Sequence, residues 1–368
     1  MSLSARWRRW RNGLVSDPRF QAWAARFPLT RAVTRREGAE MFDLLSGFVY
    51  SQALMALVEL GTLRALRGGE MEAAALAARA GVPAERMAAL LRAGVALGLM
   101  EMRGGAFGLS RKGAALLGAP GLEDMIRHHR VLYRDLEDPA AFFRGETETE
   151  LAGFWPYVFG AAAAEEPEAA ARYSDLMAKS QIMVAEETLA AVSLADTRLL
   201  MDVGGGTGAF LEAAGRANPA LKIRLFDLPA VAPAAAARFR AAGMEGRAEI
   251  VPGSFRDGPL PGGADAISLV RVLYDHRDET VAALLRAAFE ALPPGGRIVV
   301  SEPMTGGARP NRSGDVYFAF YCMAMRTGRA RSQAEVAALL SAAGFAEVRT
   351  PRPRREFVTS IVTATKPR

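Results

Sequence analysis

The 368-residue sequence has a single cysteine, Cys322, and only three histidines, His128, His129 and His276. One thiol excludes a disulfide framework and a cysteine-based zinc site, and it points to a reducing cytoplasm. Three histidines leave little material for a histidine metal centre, so no metal is expected. Long uncharged apolar runs are also missing. No segment supplies the roughly 18 such residues that a membrane-spanning helix needs, which points to a soluble or peripheral protein. Acidic residues are scarce at the start of the chain. Through Glu37 there are nine arginines (6, 8, 9, 11, 19, 26, 31, 35 and 36) against Asp17 and Glu37, so this leader carries +7 of a total of +6. Trp7, Trp10, Trp23, Phe20 and Phe27 are interleaved with them, a composition suited to a lipid headgroup region. Without a long apolar stretch the leader is not a secretory signal. A solvated or dimer-wrapping arm is the competing reading.

Length allows two domains with real cores behind this leader. From Met41 to about Leu66, apolar residues recur at helical spacing through Phe42, Leu45, Phe48, Val49, Leu54, Leu57, Val58 and Leu60, which predicts a helix. Met71 to Ala80, the break Gly81-Val82-Pro83, Ala84 to Leu97 and a hairpin at Gly104-Gly105 read as helix, turn, helix, wing. Such a unit suggests DNA binding, yet its second helix offers only Arg86 and Arg92, beside Glu85. Phosphate contact wants more cations, so no nucleic-acid partner is expected and a dimerisation or substrate-lid role is favoured. Gly160 to Ala171 reads as a solvated helix, and Tyr173 to Val192 as a helix carrying Met177 and Met183. The expected domains are a basic leader (1–37), a helical winged-helix-like domain (38–185) and an α/β domain (186–368).

The α/β domain begins with the most informative run in the chain. Leu199 to Val203 is a hydrophobic strand that breaks into Gly204-Gly205-Gly206-Thr207-Gly208 and then enters a helix. Glycines permit positive φ and close approach of a ligand, and the amides at the helix start face the bound group. Gly204, Gly206 and Ala209 fit the dinucleotide fingerprint, whereas Asp202-x-Gly204-x-Gly206-x-Gly208 fits the acid-led pattern of S-adenosylmethionine (SAM) sites. The late position of the motif and the carboxylate ahead of it favour SAM. An ordinary strand-turn-helix junction would not need three consecutive glycines.

Strands then alternate with helices at Lys222 to Phe226, Ala248 to Val251, Ala266 to Val270 and Arg297 to Ser301, with a final pair near Glu347 to Arg349 and Val358 to Thr363. That alternation predicts a mostly parallel sheet with helices on both faces. Ligands in such sheets bind beyond the carboxyl ends of the strands. Asp227, about 20 residues past the glycines and next to Leu228, is placed to accept hydrogen bonds from ribose hydroxyls. Gly253, Ser254 and Phe255 close the third strand, where Ser254 suits the adenine edge and Phe255 its ring face. Arg271 to Glu279 close the fourth, with Arg271 counted among the cofactor-binding residues, and Glu302 closes the fifth.

Asp202 to Gly208, Phe226 to Pro229, Gly253 to Phe255, Arg271 to His276, Leu292 to Arg297, Ser301-Glu302 and Gly328 to Ser332 resemble, in order and spacing, the class I SAM-dependent O-methyltransferases of the plant caffeate type. The resemblance covers nearly the whole chain and implies a Rossmann-like SAM methyltransferase sheet with an N-terminal helical, winged-helix-like dimerisation domain, and a homodimer. Phe48 to Gln52, Tyr173 to Met177 and Tyr317 to Tyr321 further resemble the hydroxyneurosporene-type O-methyltransferases of phototrophic bacteria, which methylate tertiary hydroxyls of acyclic carotenoids. Peripheral contact with the photosynthetic membrane through the leader would suit such a substrate.

One departure stands at the centre. The plant-type motif His-Asp-Trp supplies the catalytic base, and the aligned residues here are Tyr274, Asp275 and His276. His276 and Tyr274 are therefore the candidates for proton transfer, with Glu302, aligned with a base-supporting acid, as orienter. Tyr274 also resembles the tyrosine of a bacteriochlorophyllide C-methyltransferase, which keeps a tetrapyrrole C-methyltransferase as an alternative beside a SAM-fold DNA-binding regulator. An apolar, rod-like acceptor calls for aromatic and methionine lining; Phe318, Phe320, Tyr321, Met323 and Met177 suit that purpose.

Overall fold

The computed structural model describes residues 2–154 and 180–368. They form two compact units, Met1–Leu117 and Gly118–Arg368. The chain from 118 onward, grouped above with the N-terminal helices, therefore joins the second unit. There the Leu122–Asp135 and Pro139–Arg144 helices supply Val131, Leu132 and Phe142 to one apolar cluster with Tyr321 and Met325.

In the first unit the leader is helical. Ser2 caps the Leu3–Val15 helix, which buries none of its residues, and Asp17 caps Pro18–Ala24 with Pro18 in the first turn, where its missing N–H costs nothing. The Arg31–Glu59 helix begins ten residues before the apolar periodicity does. An 18-residue window in this helix has mean hydropathy 1.5, so the helix is long and apolar enough to cross a membrane by length and composition, although its uncharged run between Asp43 and Glu59 stays short of 18 residues. Met55, Leu57 and Val58 near its end are buried, while Met41, Phe42, Leu44, Leu45, Phe48 and Val49 are exposed.

The winged helix forms as read. Gly81, left-handed at φ 64, stops the Ala73–Ala80 helix, and Ala84–Ala96 follows. Three short strands, β1 (Met71–Glu72), β2 (Met100–Arg103) and β3 (Ala106–Leu109), make a sheet in the order β1-β3-β2. Gly104 and Gly105, both at positive φ, form the two-residue turn between β2 and β3.

The second unit is built on seven strands: β4 (Leu199–Val203), β5 (Lys222–Asp227), β6 (Ala248–Pro252), β7 (Ala266–Val270), β8 (Arg297–Glu302), β9 (Ala346–Arg349) and β10 (Ser360–Thr365). Their order is β6-β5-β4-β7-β8-β10-β9, parallel except that β10 runs antiparallel to both neighbours. Every residue of β7 is buried, as expected of a central parallel strand covered on both faces. Strand order reverses at β4, with β5 on one side and β7 on the other. The crevice at that switch point opens beyond the carboxyl ends of β4 and β7, between the glycine loop and the turn that follows Val270.

Candidate active site

The glycine loop leaves β4 with Gly204, Gly206 and Gly208 all at positive φ. Gly204 donates its N–H to the Phe226 carbonyl at 2.9 Å, tying the loop to the end of β5. A Cβ on Gly208 would fall 2.5 Å from the Phe239 ring, and one on Gly205 would fall 2.2 Å from Oδ2 of Asp202, whereas nothing lies within 4 Å of the corresponding point at Gly206. The loop is thus packed from below and open at Gly206. Asp202 is fully buried and accepts from Ser268 Oγ at 2.6 Å; burial pushes its carboxyl up to about 8, which favours the protonated form beneath the loop.

Asp227 links the loop to β5. Its Oδ2 accepts from Gly206 N–H and its Oδ1 from Leu228 N–H, both at 2.7 Å. Burial pushes this carboxyl up to about 6, against the two amides, which favour the charged form. Gly253 donates to the Asp227 carbonyl at 2.8 Å, and a Cβ there would meet the Phe226 ring at 2.6 Å. Ser254 Oγ accepts from Arg256 N–H, and Phe255 stands edge-on to His276 with ring centres 5.3 Å apart. Asp202, Gly204, Gly206, Gly208, Asp227, Leu228, Gly253, Ser254 and Phe255 therefore stand together at the ends of three adjacent strands. Bare backbone, amide donors and a carboxylate suit an adenosyl group.

The turn after β7 forms the facing wall. A Cβ on Gly204 would lie 3.1 Å from the Val272 side chain, so the glycine loop and this turn touch. Arg271 adopts φ 59, unusual for a residue with a side chain, and its guanidinium donates to Ser180 Oγ at 2.7 Å and Tyr274 Oη at 3.4 Å. The next residues, Leu273–Asp275, make a single 3-10 turn whose Leu273 and Tyr274 amides both donate to Oε2 of buried Glu302. Glu302 thus holds this turn through its backbone amides. Burial pushes its carboxyl up to about 7. Tyr274 is buried and its hydroxyl is pushed above the ordinary phenol range by desolvation, so it is a proton donor here rather than a phenolate.

His276 is placed differently from the expectation. Its Nδ1 lies 3.1 Å from Nη2 of Arg256, and because a guanidinium only donates, Nδ1 must accept. The neutral ring then carries its proton on Nε2 and has no lone pair left for a hydroxyl proton. Burial, aided by Arg256 and Arg331, pushes the ring down to about 4. Its role as the base does not follow from this geometry.

Behind the turn, the Gly328 to Ser332 run acts as a clasp. Arg331 has no exposed surface and donates to the Leu273 and His276 carbonyls and to Asp278. Arg329 joins Asp278 to Glu335, and Ser332 and Glu335 form a capping box that starts the Gln333–Ala342 helix. Arg331→Ala takes the guanidinium donor from the buried His276 carbonyl and one of two donors from the Leu273 carbonyl, which keeps the His276 N–H, and about 3 kcal/mol of stability is expected to be lost in chemical denaturation.

Residues 133–346 match the model of an O-methyltransferase domain, and residues 42–118 match an O-methyltransferase dimerisation domain. The chain belongs to the O-methyltransferase family. The methyltransferase is 57% identical over 355 residues to demethylspheroidene O-methyltransferase of Cereibacter sphaeroides, covering 96% of this chain and 94% of that protein. It is 52% identical to the Rhodobacter capsulatus enzyme of the same name, over 92% of this chain and 85% of that one. Among solved structures it is similar to human N-acetylserotonin methyltransferase in complex with SAM, with TM-score 0.77, 26% identity and coverage of 90% and 98%. SAM is its methyl donor, and its dimerisation domain makes it a homodimer acting on a small molecule.

The expected acceptor lining of the methyltransferase is only partly brought together. Phe318 packs with Tyr274, Cys322 and Ala330 beside the turn. Tyr321 is buried and bonds to His128, whereas Phe320 pairs edge-on with Phe143 and Met323 is exposed. Met177 lies outside the described residues. Asp275 and the adjacent pair His128-His129 escaped the sequence reading. Asp275 is buried with Oδ1 lacking a hydrogen-bond partner among the described residues; its carboxyl is pushed well above the usual range by burial, with Arg271 opposing and Glu302 adding to the shift. Two consecutive histidines were the available signal for the other pair, and their partners lie nearly 190 residues on.

Proposed function

We propose that this chain transfers the methyl group of SAM to a tertiary hydroxyl of an acyclic hydroxycarotenoid, as a step of carotenoid biosynthesis. The likeness to the two demethylspheroidene O-methyltransferases carries the reading. The alternatives weighed from sequence, a tetrapyrrole C-methyltransferase and a DNA-binding regulator, find no support among the relatives. SAM, when bound, supplies an electrophilic methyl on sulfur. Asp227 holds the ribose, Gly206 admits the adenosyl backbone, and Ser254 and Phe255 border the base; Asp202 supports the loop from beneath. Glu302 and Arg331 fix the turn, so that Arg271 and Tyr274 face the crevice and align the acceptor hydroxyl. Positioning of this kind supplies much of the rate in a displacement that needs a near-attack geometry. Exclusion of water strengthens attraction between the developing alkoxide and the sulfonium.

Purified enzyme given SAM with a hydroxycarotenoid, a catechol and a bacteriochlorophyllide in separate reactions should methylate the carotenoid alone. Turnover of the tetrapyrrole or the catechol without the carotenoid would overturn the substrate assignment. Asp227 also sets a pH dependence. SAM is held by the ionised carboxylate, so affinity should be level above about pH 7 and fall toward tenfold per unit below about 6; calorimetry across that range checks it.

The leader is proposed to rest on the membrane that holds the substrate. Trp7, Trp10 and Trp23 are exposed among the arginines, and a notch of about 620 Å³ lined by Arg6, Arg9, Trp10, Gly13 and Leu14 suits an anionic headgroup. The exposed apolar face of Arg31–Glu59 overlaps the start of the dimerisation match at residue 42 and is assigned to the second copy of the chain. Sedimentation with anionic vesicles should require residues 1–30, while the cytoplasmic enzyme without them keeps its dimer.

A further inference from the structure

The methyltransferase needs a group that takes the acceptor's proton, and within the turn at Tyr274 to His276 burial favours the protonated forms of both the Tyr274 phenol and the Asp275 carboxyl. His276 has its accepting nitrogen engaged by Arg256. Two imidazole and phenol pairs stand next to this turn. His128 and His129 follow one another on the Leu122–Asp135 helix. Tyr317 and Tyr321 lie one helical turn apart where the Arg312–Phe318 and Ala319–Met325 segments join. Nε2 of His129 is 2.6 Å from Tyr317 Oη, and Nε2 of His128 is 2.9 Å from Tyr321 Oη. The two phenol rings are 6.1 Å apart. Arg271, already within reach of Tyr274 Oη, also acts on both phenols, and Tyr274 and Asp275 act on Tyr321. Phe318, whose ring stands edge-on to Tyr317 with centres 4.8 Å apart, packs against Tyr274, so the pairs stand beside the acceptor turn.

They are not equivalent. Tyr321 is sealed in an apolar cluster with Val131, Leu132, Phe142 and Leu151, whereas Tyr317 sits at the margin of that cluster and is only partly buried. We infer that Tyr317 is the catalytic residue that accepts the acceptor's hydroxyl proton, passing its own phenolic proton to Nε2 of His129. An oxygen lone pair forms the new O–C bond while the C–S bond breaks and its electron pair stays on sulfur. The hydroxyl proton moves to Tyr317 Oη as the phenol's proton moves to the imidazole. Positive charge thus leaves the sulfonium and ends on His129, and no phenolate or hydroxide is left behind. His129 acts through Tyr317 and must carry its resting proton on Nδ1. Burial, reinforced by His128, pushes the ring down to about 4, so it is neutral before the transfer.

The inference rests on the O-methylation reading, and its test separates the two. Nitrogen-15 spectra of the histidines read the tautomer without turnover: His129 should show Nδ1–H, and an Nε2–H resonance would overturn the proton path even if the enzyme is active. Tyr317→Phe and His129→Asn should each lower kcat at least about 100-fold, with KM for the hydroxycarotenoid and affinity for S-adenosylhomocysteine within about threefold. A kcat within threefold of the parent in either variant would overturn it. So would a larger loss in Tyr321→Phe and His128→Asn. Should His129→Asn lower the melting temperature, His129→Gln keeps an acceptor atom for the phenol but cannot be protonated; it too should lose kcat, and normal turnover there contradicts the inference. Absence of any carotenoid methylation by the parent enzyme would instead count against the substrate.

Discussion

Asp227→Ala is expected to weaken SAM binding by at least about 30-fold, read by calorimetry, and to lower kcat/KM by the same factor. The carboxylate accepts from Gly206 and Leu228 at 2.7 Å each, so it organises the loop as well as offering lone pairs to the ribose. A hydrogen bond to a charged group contributes about 1.5 to 3 kcal/mol, and its removal also frees two amides that held the pouch in shape. Asp227→Asn should fall between the parent and the alanine variant, because Oδ1 alone can still accept an amide. An alanine variant with parental affinity would remove Asp227 from the cofactor site.

Gly328→Ala is expected to lower kcat at least about 100-fold while S-adenosylhomocysteine affinity changes by less than about threefold. The added Cβ would lie 2.1 Å from the Tyr274 carbonyl oxygen, and 2.5 Å from both the Asp275 carbonyl carbon and the His276 nitrogen. All three are backbone atoms, so the acceptor turn itself must move. A displacement near 1 Å at a reacting centre can cost on the order of a hundredfold. The glycine loop is held from the other side by β5, through Phe226 and Asp227, and should survive. Gly246→Ala, where nothing lies within 4 Å, is the matching control and should change neither quantity.

The convergence of the glycine loop with its two acids was legible because its constraints are local in sequence. A strand, a run of glycines and an acid one strand further on need only the βαβ geometry to converge, and Asp202, Gly204, Gly206, Gly208 and Asp227 do so. The mostly parallel sheet was likewise legible in the alternation of strand and helix, whereas the order of its strands was not. The acceptor half depends on long-range meetings that no local spacing encodes. His129 meets Tyr317 across 188 positions, and Arg331 reaches back to Leu273 across 58. His276 misled for the same reason. A histidine in the motif position reads as a base, and only the fold reveals Arg256 against its Nδ1. The long Arg31–Glu59 helix was underestimated because its apolar spacing begins only at Met41, and many of those apolar residues are exposed.

The central claim is methylation of oxygen at the end of an apolar chain. Single-turnover reaction of the enzyme with SAM carrying a deuterated methyl group and a hydroxycarotenoid, followed by carbon-13 and proton NMR of the product, should place the whole label in an ether at the former tertiary hydroxyl. Label on carbon, or an unlabelled carotenoid recovered from enzyme shown to bind SAM, would contradict the account.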